Sequence, residues 1–153
     1  MLFQPEIPHN TGAIGRLCLA TQSRLHLIRP LGFSLDDKHL KRAGLDYWQE
    51  VDLRVWDSWD ALCADLPRTA ATYFIECHGT TDYWNAGLGK EDICLVFGPE
   101  TRSIPPSVIN PERCLRIPMH GTRSLNLATA AGIVMYEAAR QRTQAGIGIG
   151  IAS

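Results

Sequence analysis

Bulk charge of either sign is lacking in this sequence: 15 Lys and Arg stand against 16 Asp and Glu, a formal net charge of -1 over 153 residues. Overall charge therefore gives no affinity for a polyanion, and any nucleic-acid surface has to be a local basic patch. Metal-ligand spacing is lacking too. The cysteines (Cys18, Cys63, Cys77, Cys94, Cys114) include no C-x-x-C pair, and the histidines form no H-x-x-x-H or H-E-x-x-H pattern. An odd number of scattered cysteines, most of them in apolar runs, argues for reduced, buried thiols and against a disulfide framework or a bound metal. No apolar run reaches the length of a membrane span. The opening, MLFQPEIPHN, has neither the basic region nor the long apolar region of a secretory signal. The expectation is a soluble, cytoplasmic protein with no membrane partner.

The common motifs of nucleotide binding and covalent hydrolysis fail as well. Gly87-Leu88-Gly89 lacks the third glycine of a dinucleotide fingerprint and follows no strand-like run, and no G-K-[ST] marks a phosphate loop. No G-x-S-x-G elbow presents a nucleophilic serine.

What is present is an alternation of strand-like and helix-like segments. Residues 1–4 read as a first strand, followed by the extended turn that Pro5 and Pro8 enforce. Asn10-Thr11-Gly12 can cap a helix from about 13 to 21. Residues 25–28 are a second strand. Residues 36–43 read as a short helix, acidic at its start and basic at its end, as the helix dipole favours. Residues 51–55 alternate like a half-buried strand. Residues 56–66 fit an amphipathic helix with Trp59, Leu62 and Leu66 inward. Residues 72–75 and 93–97 are further strands, and 105–109 one helical turn. A strand at 114–117, a polar loop, and an uncharged apolar run from Leu127 to Tyr136 follow. That run predicts a helix buried on most sides. Residues 143–153 have no helical logic and read as a loose tail. No repeat or linker divides the chain. The fold class is α/β in one domain, a mostly parallel sheet flanked by helices.

Three polar loops follow apolar strands or extended entries: Asn10 to Arg16, Phe97 to Arg102, and Arg123 to Leu127. In a parallel sheet, loops at the strand C-termini share one edge, so these three converge on a crevice. Each has a plain structural account. Asn10, Ser124 and Asn126 are good helix caps. Arg16 suits a solvated helix face. Lys38, Lys41 and Arg42 suit another. His78 and His120 read as exposed loop residues.

Taken in order, the motifs carry a resemblance. N-T-G-x-x-x-R (Asn10 to Arg16), D-D-K-x-L-K-R-A-G-L-D-Y (Asp36 to Tyr47), F-G-P-E-T-R-x-I-P (Phe97 to Pro105) and I-P-M followed by R-S-L-N-L (Ile117 to Leu127) resemble the SPOUT superfamily. More closely, they are similar to its small tRNA 2′-O-methyltransferases of the TrmL (YibK) type, over roughly residues 4–142 of this chain. The resemblance implies a SPOUT fold with a C-terminal trefoil knot, an exception to the rule that chains do not thread. It implies a homodimer, S-adenosylmethionine as cofactor, and methylation of the ribose 2′-hydroxyl of the wobble nucleotide, cytidine or modified uridine, in the tRNA anticodon stem-loop.

Residue by residue, the resemblance makes Arg16 the catalytic arginine, with Asn10, Glu100, Ser124 and Asn126 around it. It places Ile75, Gly98, Ile117 and Ser124 against the cofactor, and Met119 and Leu125 along its adenine. Lys38, Lys41, Arg42 and Arg123 would contact RNA phosphates. Two departures stand out. Ser103 replaces the glycine of F-G-x-E-T-x-G-[LI]-P, which strains the loop if the position needs a left-handed φ. Glu76-Cys77-His78-Gly79 stands where T-T-K-G is common, which removes a cation near the cofactor. Two other readings stay open: a ribosomal RNA 2′-O-methyltransferase, and a cofactor-binding RNA module without turnover.

Overall fold

Seven short strands form a single sheet in the order β3-β2-β1-β6-β4-β7-β5. They are β1 (Leu2–Phe3), β2 (Leu25–Ile28), β3 (Leu53–Trp56), β4 (Ala71–Ile75), β5 (Thr81–Asp82), β6 (Ile93–Phe97) and β7 (Cys114–Arg116). Every recorded pairing is parallel. The helices are α1 (Pro8–Ala20), α2 (Trp59–Asp65) and α3 (Leu127–Gln144), with short 3-10 helices at Asp46–Glu50, Tyr83–Asn85 and Pro111–Arg113. This computed structural model describes residues 1–35, 46–90 and 92–147. The basic helix expected at 36–43, with Lys38, Lys41 and Arg42, lies outside them, as does most of the expected tail.

Strand alternation divides the core in two. Leu2, Leu25, Leu27, Phe97 and Leu115 face α1 and α3, where Ile14, Cys18, Ala131, Val134 and Ala138 meet them. Phe3, Ile28, Phe74, Val96 and Cys114 face the other way and pack with Leu62 of α2. Parallel strands buried on both faces are apolar almost throughout, which is why β2 and β6 were plain in the sequence.

Several expected boundaries move, for identifiable reasons. The first helix begins at Pro8, with Ile7 as its N-cap, so Asn10 lies inside the first turn and is not the cap. Proline at N1 has a preset helical φ and no N–H to leave unpaired. The second helix begins at Trp59, because the Ser58 hydroxyl accepts the Ala61 N–H at 3.1 Å; Trp56 belongs to β3. Along its apolar run helix α3 is buried or half-buried except at Thr129 and Tyr136. Ala131, Val134, Met135, Ala138 and Ala139 form one buried stripe, while Tyr136 is 52% exposed. Cys63 and Cys77 are exposed, against expectation; Cys18, Cys94 and Cys114 are buried, and all five thiols are free.

Strand β5, unforeseen in the sequence, lies on the far side of β7 from β4. Ile75 at the end of β4 and Thr81 at the start of β5 both register with Leu115 of β7. The connecting residues 76–80 therefore bridge over β7. The crossing is tight: a Cβ on Gly79 would lie 2.4 Å from the Leu115 carbonyl carbon and 2.8 Å from the Arg116 nitrogen.

Candidate active site

The strand C-termini of β1, β6, β4 and β7 open onto a cleft of about 670 Å³. Its walls come from Ile7 and Asn10 at the start of α1, residues 75–77 after β4, residues 97–103 after β6, and residues 117–127 between β7 and α3. Sequence-expected Ile75, Gly98, Ile117, Met119, Ser124 and Leu125 all line it, as do Asn10, Glu100, Asn126 and Arg123.

Three of these side chains form a continuous relay. The Glu100 carboxylate accepts the Glu6 N–H at 2.8 Å, the Ile7 N–H at 3.2 Å and the Asn10 Nδ2 at 3.0 Å. Helix α1 has no acidic residue in its own first turn. Glu100 thus supplies, from the loop after the neighbouring strand β6, the negative charge that a helix N-terminus favours. The Asn10 Oδ1 in turn accepts the Asn126 Nδ2 at 2.9 Å. The Asn126 Oδ1 caps α3, accepting the Ala128 and Thr129 N–H groups at 2.9 and 3.2 Å. Asn126 alone caps that helix. Ser124 is left exposed on the cleft wall.

A reciprocal clamp that the sequence did not reveal holds the same loop. The Glu6 carboxylate accepts the Thr101 N–H (3.1 Å), the Thr101 hydroxyl (3.0 Å) and the Arg102 guanidinium. Glu6 and Glu100 therefore each bind the other's loop. Glu6 sits in an extended stretch with no periodicity or cap pattern, so only tertiary proximity identifies it. Ser103 adopts no left-handed φ, so the glycine-to-serine departure carries no backbone strain.

Arg16 is the exception. It is exposed on α1 and stacks over the Tyr47 ring, 4.4 Å from its centroid. It does not line the cleft. Six residues separate it from Asn10, about 9 Å along the helix axis. Tyr47 is itself anchored, its hydroxyl donating to the Gly12 carbonyl at 2.8 Å. His78 is exposed and lies 3.9 Å from a Glu76 oxygen. Among the described residues no cluster of His, Cys, Asp and Glu could hold a metal ion, and no helix is long and apolar enough to cross a membrane.

A parallel α/β sheet with an apolar and amide-lined cleft at its C-terminal edge, and a connection that crosses β7, defines an α/β domain with a small-molecule-sized site at its strand ends. The chain belongs to the SpoU rRNA Methylase family, whose model matches residues 1–136. It is 45% identical over 150 residues to the tRNA (cytidine(34)-2′-O)-methyltransferase of Methylovorus glucosotrophus (strain SIP3-4), covering 95% of this chain and 96% of that protein. Identity to the protein of the same name from Saccharophagus degradans is 47% over 152 residues, covering 95% and 96%. A solved structure described as "Structural insights into the 2-OH methylation of C/U34 on tRNA" matches with a TM-score of 0.85 and 49% identity, covering 94% of both chains. At 24% identity, AviRb of Streptomyces viridochromogenes shares the fold, with a TM-score of 0.79 over 93% of this chain and 56% of that one.

Proposed function

We propose that this protein transfers a methyl group from S-adenosylmethionine to the ribose 2′-hydroxyl of nucleotide 34, cytidine or modified uridine, in the anticodon stem-loop of tRNA. One observation carries the reading: the Glu100–Asn10–Asn126 relay borders a cleft that holds every residue assigned to the cofactor. The cleft fits that molecule in kind. Its volume is in the range of small-molecule sites. Ile75, Ile117, Met119 and Leu125 supply apolar walls for a nucleoside, and Gly98 lets backbone approach closely, since a Cβ there would meet Ile104 Cγ1 at 3.0 Å. When bound, the cofactor supplies an electrophilic sulfonium methyl.

The chain's own part is positioning and charge stabilisation, because an activated methyl leaves little else to catalyse. Asn10 and Asn126 have their amides fixed against each other, so the groups they present at the cleft rim are preorganised. Glu100 holds Asn10 and the α1 entry in place. Arg16 stabilises the 2′-oxygen as it loses its proton and holds an RNA phosphate. Its guanidinium stays charged, so the proton leaves to that phosphate or to water. Arg123, exposed on the cleft wall, meets phosphate, as do Lys38, Lys41 and Arg42.

Arg16 reaches a cleft in a homodimer. On α3 the exposed Tyr136 and the half-buried Ile133 supply apolar surface that supports association with a second copy. The bridge of residues 76–80 over β7 supports the C-terminal knot. Mass spectrometry of nucleosides from tRNA incubated with protein and cofactor tests the function. A 2′-O-methylated nucleotide at position 34 is the expected product. Methylation only of ribosomal RNA, or cofactor binding with no product on any RNA, would overturn it.

A further inference from the structure

The cleft carries one charge that positioning does not use. Glu76 follows Ile75 at the end of β4, and its side chain is only 9% exposed. Its Oε1 accepts the Ile104 N–H at 2.8 Å, and a Cβ on Gly98 would lie 3.2 Å from the same oxygen. The carboxylate is thus wedged between the loops that follow β4 and β6, both of which line the cleft. Its other oxygen, Oε2, accepts no hydrogen bond among the described residues. Among the described residues, the one basic group within 4 Å of it is the Nδ1 of exposed His78, at 3.9 Å.

Holding the loop does not require a charge. An amide oxygen would accept the Ile104 N–H as well. In this half-buried residue, a carboxylate with one hydrogen bond and no close cation leaves an oxygen free to meet a bound ligand, and a few such polar groups fix what an apolar cleft selects. Its field reaches the surroundings: burial first, and then the Glu76 charge, pushes the Cys114 thiol up.

We propose that Glu76 is a specificity-determining residue whose negative charge makes the cleft prefer the cationic methyl donor, S-adenosylmethionine, over its neutral product, S-adenosylhomocysteine. The inference rests on the reading of the cleft as the cofactor site. Donor and product differ by one methyl and one positive charge. In the transfer, the sulfur–methyl bond breaks as the bond from methyl to the ribose oxygen forms. The sulfonium becomes a thioether, and the hydroxyl proton leaves to phosphate or water. Donor and product share the amino-acid ammonium and carboxylate, and only the donor adds a sulfonium charge for a fixed carboxylate to attract, so its hold weakens once transfer is complete.

Calorimetry on the full chain with each of the two ligands tests this. Glu76→Gln keeps an acceptor for Ile104 and removes the charge. Glu76→Thr, the residue common at this position in the family resembled, is a second charge-free variant should the first fail to fold. Both are expected to weaken S-adenosylmethionine binding by about tenfold while S-adenosylhomocysteine changes by less than about twofold. If the ratio of the two dissociation constants is the same in wild type and variants, the charge has no such role. If the wild-type protein binds neither ligand, the cofactor reading of the cleft falls first and this inference with it.

Discussion

At the scale of single residues, burial sets the chemistry of His26 more than sequence does. Its ring stacks on Trp56, and its Nδ1 accepts the Trp56 indole N–H at 2.9 Å. Burial, reinforced by the positive charges of the chain's amino terminus, Arg24 and Arg54, lowers its pKa from 6.5 to about 4. The unfolded chain therefore binds a proton between pH 6.5 and 4 that the native chain refuses. Stability is full above pH 6.5 and falls as the pH drops toward 4, by about 2 kcal/mol at pH 5 from this group alone. Urea unfolding at pH 7 and pH 5 should show that loss, and His26→Gln should reduce it. Equal pH dependence in the variant would show that other groups carry it.

At the scale of elements, the decisive feature is a meeting of loops. Glu6, Glu100, Asn10 and Asn126 tie the entries of α1 and α3 to the loop after β6. The same economy shows at the bridge over β7, where Gly79 passes against the Leu115 backbone. Gly79→Ala would place a methyl 2.4 to 2.8 Å from backbone atoms, which have no side-chain freedom with which to yield. The change is expected to cost about 1–3 kcal/mol or more. Thermal melting would register it as a drop of several degrees. An unaltered melt would mean that the bridge can lift off β7 at no cost. A distant glycine such as Gly87, whose Cβ would meet nothing within 4 Å, serves as the control.

At the scale of the whole molecule, the question is how Arg16 and the cleft come together. It stacks on Tyr47 and does not line the cleft of its own chain. If one copy serves the cleft of the other, inactive Arg16→Ala and Asn126→Ala chains should complement each other when refolded together. Random pairing makes half the dimers mixed, each with one intact site, so about a quarter of wild-type activity should return. Asn126→Ala also loses its cap, at about 1 kcal/mol, so its folding is checked by circular dichroism. No recovery in mixtures of folded chains would place Arg16 in its own cleft.

Much of this protein was legible from the chain alone. Strands β2 and β6 and the start of α3 are set by local apolar runs and an asparagine cap, which need no tertiary partner to be recognised. The order of four motifs pointed to the family, and the residues expected at the cofactor do share one cleft. What escaped was non-local. The start of α1 was misplaced because Asn10 looks like a cap, whereas its amide is engaged by Glu100, ninety residues away in sequence. The two-residue β5 has no periodicity to read, since it exists by pairing with β7. Glu6 and Glu76 look like ordinary surface acids until the loops are brought together. Sequence by itself determined most of the strands and helices and which chemical groups are available, because apolar period and capping are local. Only the tertiary structure decided which carboxylate meets which backbone amide, and that Arg16 does not line its own cleft, because those contacts depend on the order in which distant strands pair.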